Sequence, residues 1–439
     1  TLPALATDVV PPEPASPPSA SWLFEPFPAP DFSLPDLGGQ KRSLSALRGR
    51  PAVVLFWATG APPSRTALLA LAAGSNALAQ AGIGALAIAV DGDLAKVRAA
   101  AAGAAAVPVL AASPDVALAY AILNRHLFMN RQNLQLPTVY LLDADGRVAR
   151  VYREGVDVPQ ILQDALKVEA TPAERLARAM PFEGIFYSAP GSRDYVPYGR
   201  DLLDQGLEAQ AVVAFQYAAQ GKPSASILYR LGSLLVKTGQ KAEAKAALER
   251  AVELQPDLSE ASNDLGTLLA EDGDIPAAIE RFRAALAVTP DYPDALNNLG
   301  YALLLTGQGA EARQLYERAL KLQPDFPEAL NNLGLILGRQ GDLDGAEPYF
   351  RKALQKRPDY GEAANNLALV LVNSGRTDEA IRLLQAFIEK TPGAENTYLT
   401  LAKIYLATDR RREGLETIER LLQRNPTHPL ALELARQFR

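Results

Sequence analysis

From Pro223 to Pro426 the chain repeats itself every 34 residues. Leu-Gly pairs stand at Leu231-Gly232, Leu265-Gly266, Leu299-Gly300 and Leu333-Gly334, and continue as Leu367-Ala368 and Leu401-Ala402. A proline follows 24 positions after the second residue of each pair: Pro256, Pro290, Pro324, Pro358, Pro392 and Pro426, the first four opening a Pro-Asp turn. A fixed period of this length is the mark of stacked helix-turn-helix units, each of which buries its apolar face only against its neighbours. About half of the chain is therefore expected to be a repeat array.

The whole chain bounds what else is possible. At 439 residues it exceeds what a single core usually supports, so at least two domains are expected. A net charge of -6 argues against nucleic acid, whose binders concentrate positive charge to neutralise phosphates. No apolar stretch reaches the roughly 18 residues of a membrane span, and none has the build of a signal peptide. The chain starts at Thr1 rather than Met, from which the removal of an upstream segment is expected. With no cysteine, disulfides, thiolate zinc sites and thiol catalysis are excluded together. Only His126 and His428 carry imidazole, and neither is assigned a catalytic role. No metal and no cofactor is expected.

Residues 1–25 are rich in Pro, Ala and Ser and read as a linker, with Trp22, Leu23 and Phe24 pinning it to the next domain. From 26 to 168 strands and helices alternate. Ala52–Trp57 is a short unbroken apolar run, as expected of a buried central strand. A helix is expected over Ser64–Gln80, entered through Pro62 and Pro63. Further strands are expected over Ile83–Val90, Thr138–Leu142 and Val148–Tyr152, the last two joined at Asp143-Ala-Asp-Gly146. Those two carboxylates have too few oxygens around them for a cation, which favours a plain turn. Between Asp115 and Leu136, Val116, Ala119, Tyr120, Leu123 and Leu127 recur at helical spacing. Arg125, His126 and Arg131 there fit a solvated face better than an anion site.

The segments Ala29-Pro-Asp-Phe32, Leu44 to Gly49, Phe56-Trp-Ala-Thr59, Pro137-Thr138 and Asp143-Ala-Asp-Gly146 resemble the exported thioredoxin-like family of the TlpA and ResA type. In that family Phe-Trp-Ala-Thr is followed by Trp-Cys-Pro-Pro-Cys. Here it is followed by Gly60-Ala61-Pro62-Pro63-Ser64. Thiol–disulfide exchange needs a thiolate nucleophile. Ala61 has no nucleophilic atom, and Ser64 has no histidine base within the motif. The resemblance makes Pro137 the family's cis-proline, which faces the active-site helix. Ala61, Ser64 and Pro137 then form a degenerate redox site that either merely closes the fold or still offers a shallow rim for a peptide.

Residues 169–191 read as a connector. Thr171-Pro-Ala-Glu174 has the form of a capped helix start, and Phe182, Ile185, Phe186 and Tyr187 cluster as an interface would, which predicts a rigid junction.

The array resembles the tetratricopeptide family. With Gly232 as position 8 of a repeat, position 15 is Gly239, Gly273, Gly307, Gly341 and Gly375, and position 20 is Ala244, Ala278, Ala312, Ala346 and Ala380. Position 24 is bulky: Leu248, Phe282, Tyr316, Phe350, Leu384 and Ile418. The last unit departs from the pattern with Asp409 and Gly414, and a degenerate unit built on Gly199, Gly206, Ala211 and Phe215 precedes the regular ones. Seven units over 192–428 and a capping helix over 429–439 are expected. The fold class is thus an α/β thioredoxin-like domain followed by an all-α solenoid.

Four units place two polar residues in the middle of the first helix: Asn263-Asp264, Asn297-Asn298, Asn331-Asn332 and Asn365-Asn366. Asparagine is a mediocre helix former, so propensity does not explain them. Two readings stand. The amides hold the backbone of an extended peptide, as in family members with a similar ladder, since an amide offers donor and acceptor together. Alternatively they join neighbouring helices and set the pitch. Glu260, Asp294, Glu328 and Glu362 run beside them and favour a ligand with positive charge.

The expected function is a non-catalytic binding scaffold of a bacterial periplasm or cell surface, recognising a protein or peptide and neither nucleic acid nor the membrane interior. The alternatives are a structural subunit of a larger assembly, built with copies of itself or other subunits, and, remotely, a thiol oxidoreductase or peroxidase. The layout also resembles the redoxin-plus-repeat part of longer bacterial proteins with an ASPIC/UnbV-type module.

Overall fold

The computed structural model describes residues 20–91, 93–128, 134–153, 155–169, 174 and 194–438. The expectations for residues 1–19, for the helix start at Thr171, for Arg131 and for the cluster of Phe182, Ile185, Phe186 and Tyr187 lie outside the described residues. The chain divides into two compact units, Thr1–Gly239 and Gln240–Arg439.

In the first unit the strands are β1 (Ala20–Pro28), β2 (Ser33–Pro35), β3 (Lys41–Ser43), β4 (Ala52–Trp57), β5 (Gly84–Ala89), β6 (Val109–Ala111), β7 (Thr138–Leu142) and β8 (Arg147–Tyr152). Six of them form one sheet in the order β1-β8-β7-β4-β5-β6, while β2 and β3 make a separate hairpin. Every residue of β4 is buried, as its continuous apolar run requires of a strand covered on both faces. Alternate side chains of β4 feed two cores. Val53, Leu55 and Trp57 pack with Leu68, Leu71 and Val139. Phe56 points the other way and lies 4.3 Å from Tyr120 and 5.8 Å from Tyr140.

Two sequence expectations change here. The helix expected over Ser64–Gln80 is two, Pro62–Ala73 and Ser75–Gln80. The break falls at Gly74, where a Cβ would lie 2.4 Å from Val158, so the helix on the opposite side of the sequence presses directly on its backbone. The linker expected to run to residue 25 is a strand from Ala20 onward, paired antiparallel with β8 from Ala20 opposite Tyr152. Its composition hid it, but Trp22 and Leu23 gain from this: Leu23 is buried and the Arg150 guanidinium lies 4.9 Å over the Trp22 ring. At the β7–β8 turn, Asp143 accepts from the backbone N–H of Asp145 and Arg147 and from Arg147 Nε. Its oxygens are occupied by the turn itself.

The same unit holds the first repeat pair, Val196–Asp204 and Glu208–Gly221, and the helix Ala225–Lys237. The thioredoxin-like sheet packs on this pair through Phe27, 4.8 Å edge-on to Tyr198, and through His126, whose Nε2 is 2.8 Å from Asp201.

The second unit continues with Lys241–Leu254 and then five helix pairs, Ser259–Glu271 with Ile275–Val288 through Glu395–Ala407 with Arg411–Arg424, ending in Pro429–Phe438. First helices touch first helices along the stack, whereas second helices make no comparable contact with one another. Within this unit the first helices therefore form a continuous inner layer. The pairing within each unit is set by a lock of small against large. A Cβ on Gly266 would sit 2.7 Å from Phe282, one on Gly300 2.8 Å from Tyr316, and one on Gly334 3.0 Å from Phe350. In the last two units, where position 24 is Leu384 and Ile418, position 8 is Ala368 and Ala402, while Leu248 keeps Gly232. The turn glycines take positive φ, from 76° to 86° in the five regular units, and Asp409 takes the same conformation at 61°. The divergent last unit keeps its turn, at the strain cost an L-residue carries in the left-handed region.

Candidate functional site

The amides of the inner layer form one hydrogen-bonded chain. Within helices, the side-chain amide of Asn263 donates to Asp264 at 3.3 Å, that of Asn297 to Asn298 at 3.3 Å, and that of Asn331 to Asn332 at 3.4 Å. Between helices, Asn298 donates to Asn263 at 3.1 Å, Asn332 to Asn297 at 3.1 Å, and Asn366 to Asn331 at 2.9 Å. Each bond between helices spans 35 residues, one repeat plus one. The 34-residue period places the fifth position of one unit beside the sixth position of the next. Seven side chains from Asp264 to Asn366 are thus joined without a break.

Both uses of an amide are visible in this pattern. Asn263, Asn297, Asn331 and Asn332 are buried, while Asp264, Asn298, Asn365 and Asn366 are half-exposed. The fifth-position amides act mainly as spacers between helices. The sixth-position residues, apart from Asn332, reach the surface; Asn298 spends its second N–H on the Thr267 hydroxyl at 3.4 Å, whereas Asn366 bonds between helices to Asn331. Asn365 belongs to the fifth-position set, yet its Oδ1 is buried and has no hydrogen-bond partner.

Charge and shape around the ladder follow the same helical spacing. Glu260, Asp294 and Glu362, one turn before the sixth position, are exposed, and Glu328 is half-buried and held by Arg357 at 2.5 Å. Partial desolvation, and then the neighbouring Glu328 carboxylate, keep the Asp294 carboxyl above its ordinary range. Beyond the ladder lies an apolar row that the sequence reading missed. Tyr301 and Leu369 are 48% and 49% exposed, and Leu335 is half-buried between them in register. The signal was available: these residues also recur every 34 positions, directly after the small residue of each pair.

At the degenerate redox site, Ala61 caps the helix that Pro62 and Pro63 begin. Ser64 is fully buried with its hydroxyl unpartnered, and the Leu136–Pro137 peptide bond is cis. The two imidazoles are engaged elsewhere, His126 with Asp201 and His428 with Glu395 at 3.6 Å. The structure therefore brings seven of the eight ladder positions together as one continuous feature and leaves the Asn365 oxygen outside it. Ala61, Ser64 and Pro137 stand in the sheet unit.

Helix pairs with small residues at positions 8 and 20, a positive-φ turn and an inner layer of first helices define a tetratricopeptide array. Residues 225–258, 263–328, 306–360, 339–395 and 371–438 match tetratricopeptide repeat families, and residues 27–151 match the AhpC/TSA family. The chain is an AhpC/TSA-type thioredoxin-like domain followed by tetratricopeptide repeats. No curated protein matches it. Among solved structures, a tetratricopeptide repeat protein from Parabacteroides merdae ATCC 43184 is 17% identical over 55% of this chain and 96% of its own, at a TM-score of 0.47. MamA is 28% identical over 36% of this chain and 94% of its own, at 0.34. PilW, a type IV pilus biogenesis factor, is 22% identical over 48% and 97%, at 0.44. Among the described residues no helix is long and apolar enough to cross a membrane.

Proposed function

We propose that the array binds an extended segment of a partner protein along the asparagine ladder, and that the chain is a non-catalytic scaffold working outside the cytoplasm. The observation that carries this reading is the ladder itself. It runs along the inner layer as one row of amides, of which Asn298, Asn365 and Asn366 are half-exposed. A peptide backbone repeats a donor and an acceptor in the same way, so its recognition does not require a particular sequence. The apolar row of Tyr301, Leu335 and Leu369 adds contact area beside the ladder, and the acidic row favours segments carrying positive charge.

The thioredoxin-like domain is read as a docking module. Ala61 offers no nucleophile, and the Ser64 hydroxyl is buried without a base, which supports a lost redox role. Any thiol-reductase or peroxidase turnover by the purified chain would overturn this part. For the groove, changing Asn298, Asn332 and Asn366 together to Ala is expected to abolish capture of the partner from extracytoplasmic extract. Because each of these amides also joins two helices, the melting temperature is expected to fall while helicity at 20 °C is retained. Undiminished capture would remove the ladder from the function.

A further inference from the structure

The ladder is closed at one end and open at the other, and the open end lies in a cleft. At the start, Asn263 donates to the Asp264 carboxylate. At the finish, the rule that the fifth-position carbonyl accepts from the residue 35 further on names Thr400 as the partner of Asn365. Thr400 bears no amide, and its hydroxyl donates to the backbone oxygen of Asn396 at 2.9 Å. The Asn365 Oδ1 is left buried with no donor.

A second orphan sits beside it. The position held by Ala261, Ala295, Ala329 and Ala363 in the preceding units, each fully buried, is Thr397 in this one. Thr397 is 1% exposed and its Oγ1 has no hydrogen-bond partner. It faces Gly361, where a Cβ would lie 3.6 Å from that oxygen, while two of the earlier units carry Pro293 and Pro327 at the glycine's position. Burying a hydroxyl without a partner is costly, and an alanine was available to the fold four times over.

Asn365, Thr397 and Gly361 line one open cleft of about 510 Å³ together with Asp359, Glu362 and Glu395. The cleft contributes three carboxylates, of which Glu395 already accepts from Asn425 at 3.1 Å, and two orphaned oxygens, and no lysine or arginine lines it. The Asn365 oxygen lacks a hydrogen-bond donor, the Thr397 oxygen can accept from one, and the charge asks for a cation. Ammonium and guanidinium groups carry several donors and no acceptor.

We propose that this cleft receives a lysine or arginine side chain of the polypeptide bound along the ladder. The ligand's N–H groups complete the row at Asn365 while the carboxylates neutralise its charge. The inference rests on the peptide-binding reading of the array and adds the identity of one recognised residue and its place, between the helices Gly361–Asn373 and Glu395–Ala407.

The test uses the full chain against arrays of end-blocked dodecapeptides of random composition. Bound peptides are expected to be enriched in Lys or Arg. Two variants should each weaken their binding about tenfold, the effect of a charge-assisted hydrogen bond, while sparing peptides without a basic residue. One is Asp359→Asn combined with Glu362→Gln, which removes charge. The other is Thr400→Asn, which keeps the charge but supplies Asn365 with an amide donor from the protein itself. Bound peptides without basic preference, or a preference surviving in both variants, would overturn the cleft alone and leave the groove standing. An array with no bound peptide would overturn both. Competition by free N-acetyl-lysine amide at equal concentration would overturn the polypeptide as occupant and assign the cleft to small amines.

Discussion

The sheet of the first unit and the array of the second hold their buried polar groups in opposite ways. In the sheet, Asp164 is fully buried and its carboxylate takes Arg150 at 2.8 Å, the Tyr152 hydroxyl at 2.7 Å and the Gln160 amide at 3.0 Å. That network turns back on itself within 15 residues of chain, meets both oxygens of Asp164 and leaves the Arg150 Nε buried without a partner. In the array the polar row runs from unit to unit, and a translational row must stop somewhere. Its end leaves an acceptor unmet by construction, whereas the local network meets every acceptor of its carboxylate and leaves over only a donor, the Arg150 Nε. Repetition thus generates a candidate recognition point that a singular fold has to build residue by residue.

The largest test of this contrast falls on the closed network. Asp164→Ala leaves the Arg150 guanidinium buried without its partner, and a loss of about 3–5 kcal/mol is expected in chemical denaturation. That loss should be confined to the sheet transition if the array melts separately. Next comes the small-against-large lock of the array. Gly300→Ala drives a methyl to 2.8 Å from Tyr316 and should cost about 1–3 kcal/mol, followed by the melting of the helical signal. The polar row itself offers a sharper comparison between chemically identical changes. Asn331→Ala removes an acceptor that Asn366 uses and a donor that Asn332 receives, for a cost of about 1–2 kcal/mol. Asn365→Ala removes an oxygen that satisfies nothing and should stay within about 0.5 kcal/mol of the parent. Equal losses at the two sites would erase the distinction between the row's interior and its end.

The smallest effect concerns pH. The folded state holds the Asp294 carboxyl above its ordinary pKa, so ionising it opposes folding. That penalty is complete above the folded pKa and is relieved as pH falls through it. Asp294→Asn is therefore expected to be slightly more stable than the parent at neutral pH, with the advantage shrinking through the carboxylate range in paired thermal melts.

The two regions were also unequally legible. The array could be read because its determinants are local and recur: Gly300 meets Tyr316 sixteen residues on, and each turn glycine is repeated at the same offset. Even Asp409, out of pattern, keeps the positive φ of its glycine counterparts. The sheet was harder. β1 pairs residues as far apart as Ala20 and Tyr152, and its Pro- and Ala-rich neighbourhood reads as linker because pairing partners lie outside any local window. Gly74 breaks a helix for the sake of Val158, which a periodicity cannot reveal. Of the candidate site, the eight ladder positions were legible as a repeated Asn/Asp pair, while their division into spacers and surface groups was not.

By itself the sequence determined the repeat, its small and large positions, the polar pair in the first helices and the absence of sulfur at Ala61 and Ser64. These are properties of spacing and atom type, and no folding alters them. Only the tertiary structure decided which oxygen of which asparagine meets which nitrogen, because hydrogen bonding depends on how one helix is displaced against the next. That displacement joins residues 35 apart, and for this reason Thr400, unremarkable along the chain, leaves Asn365 without a donor.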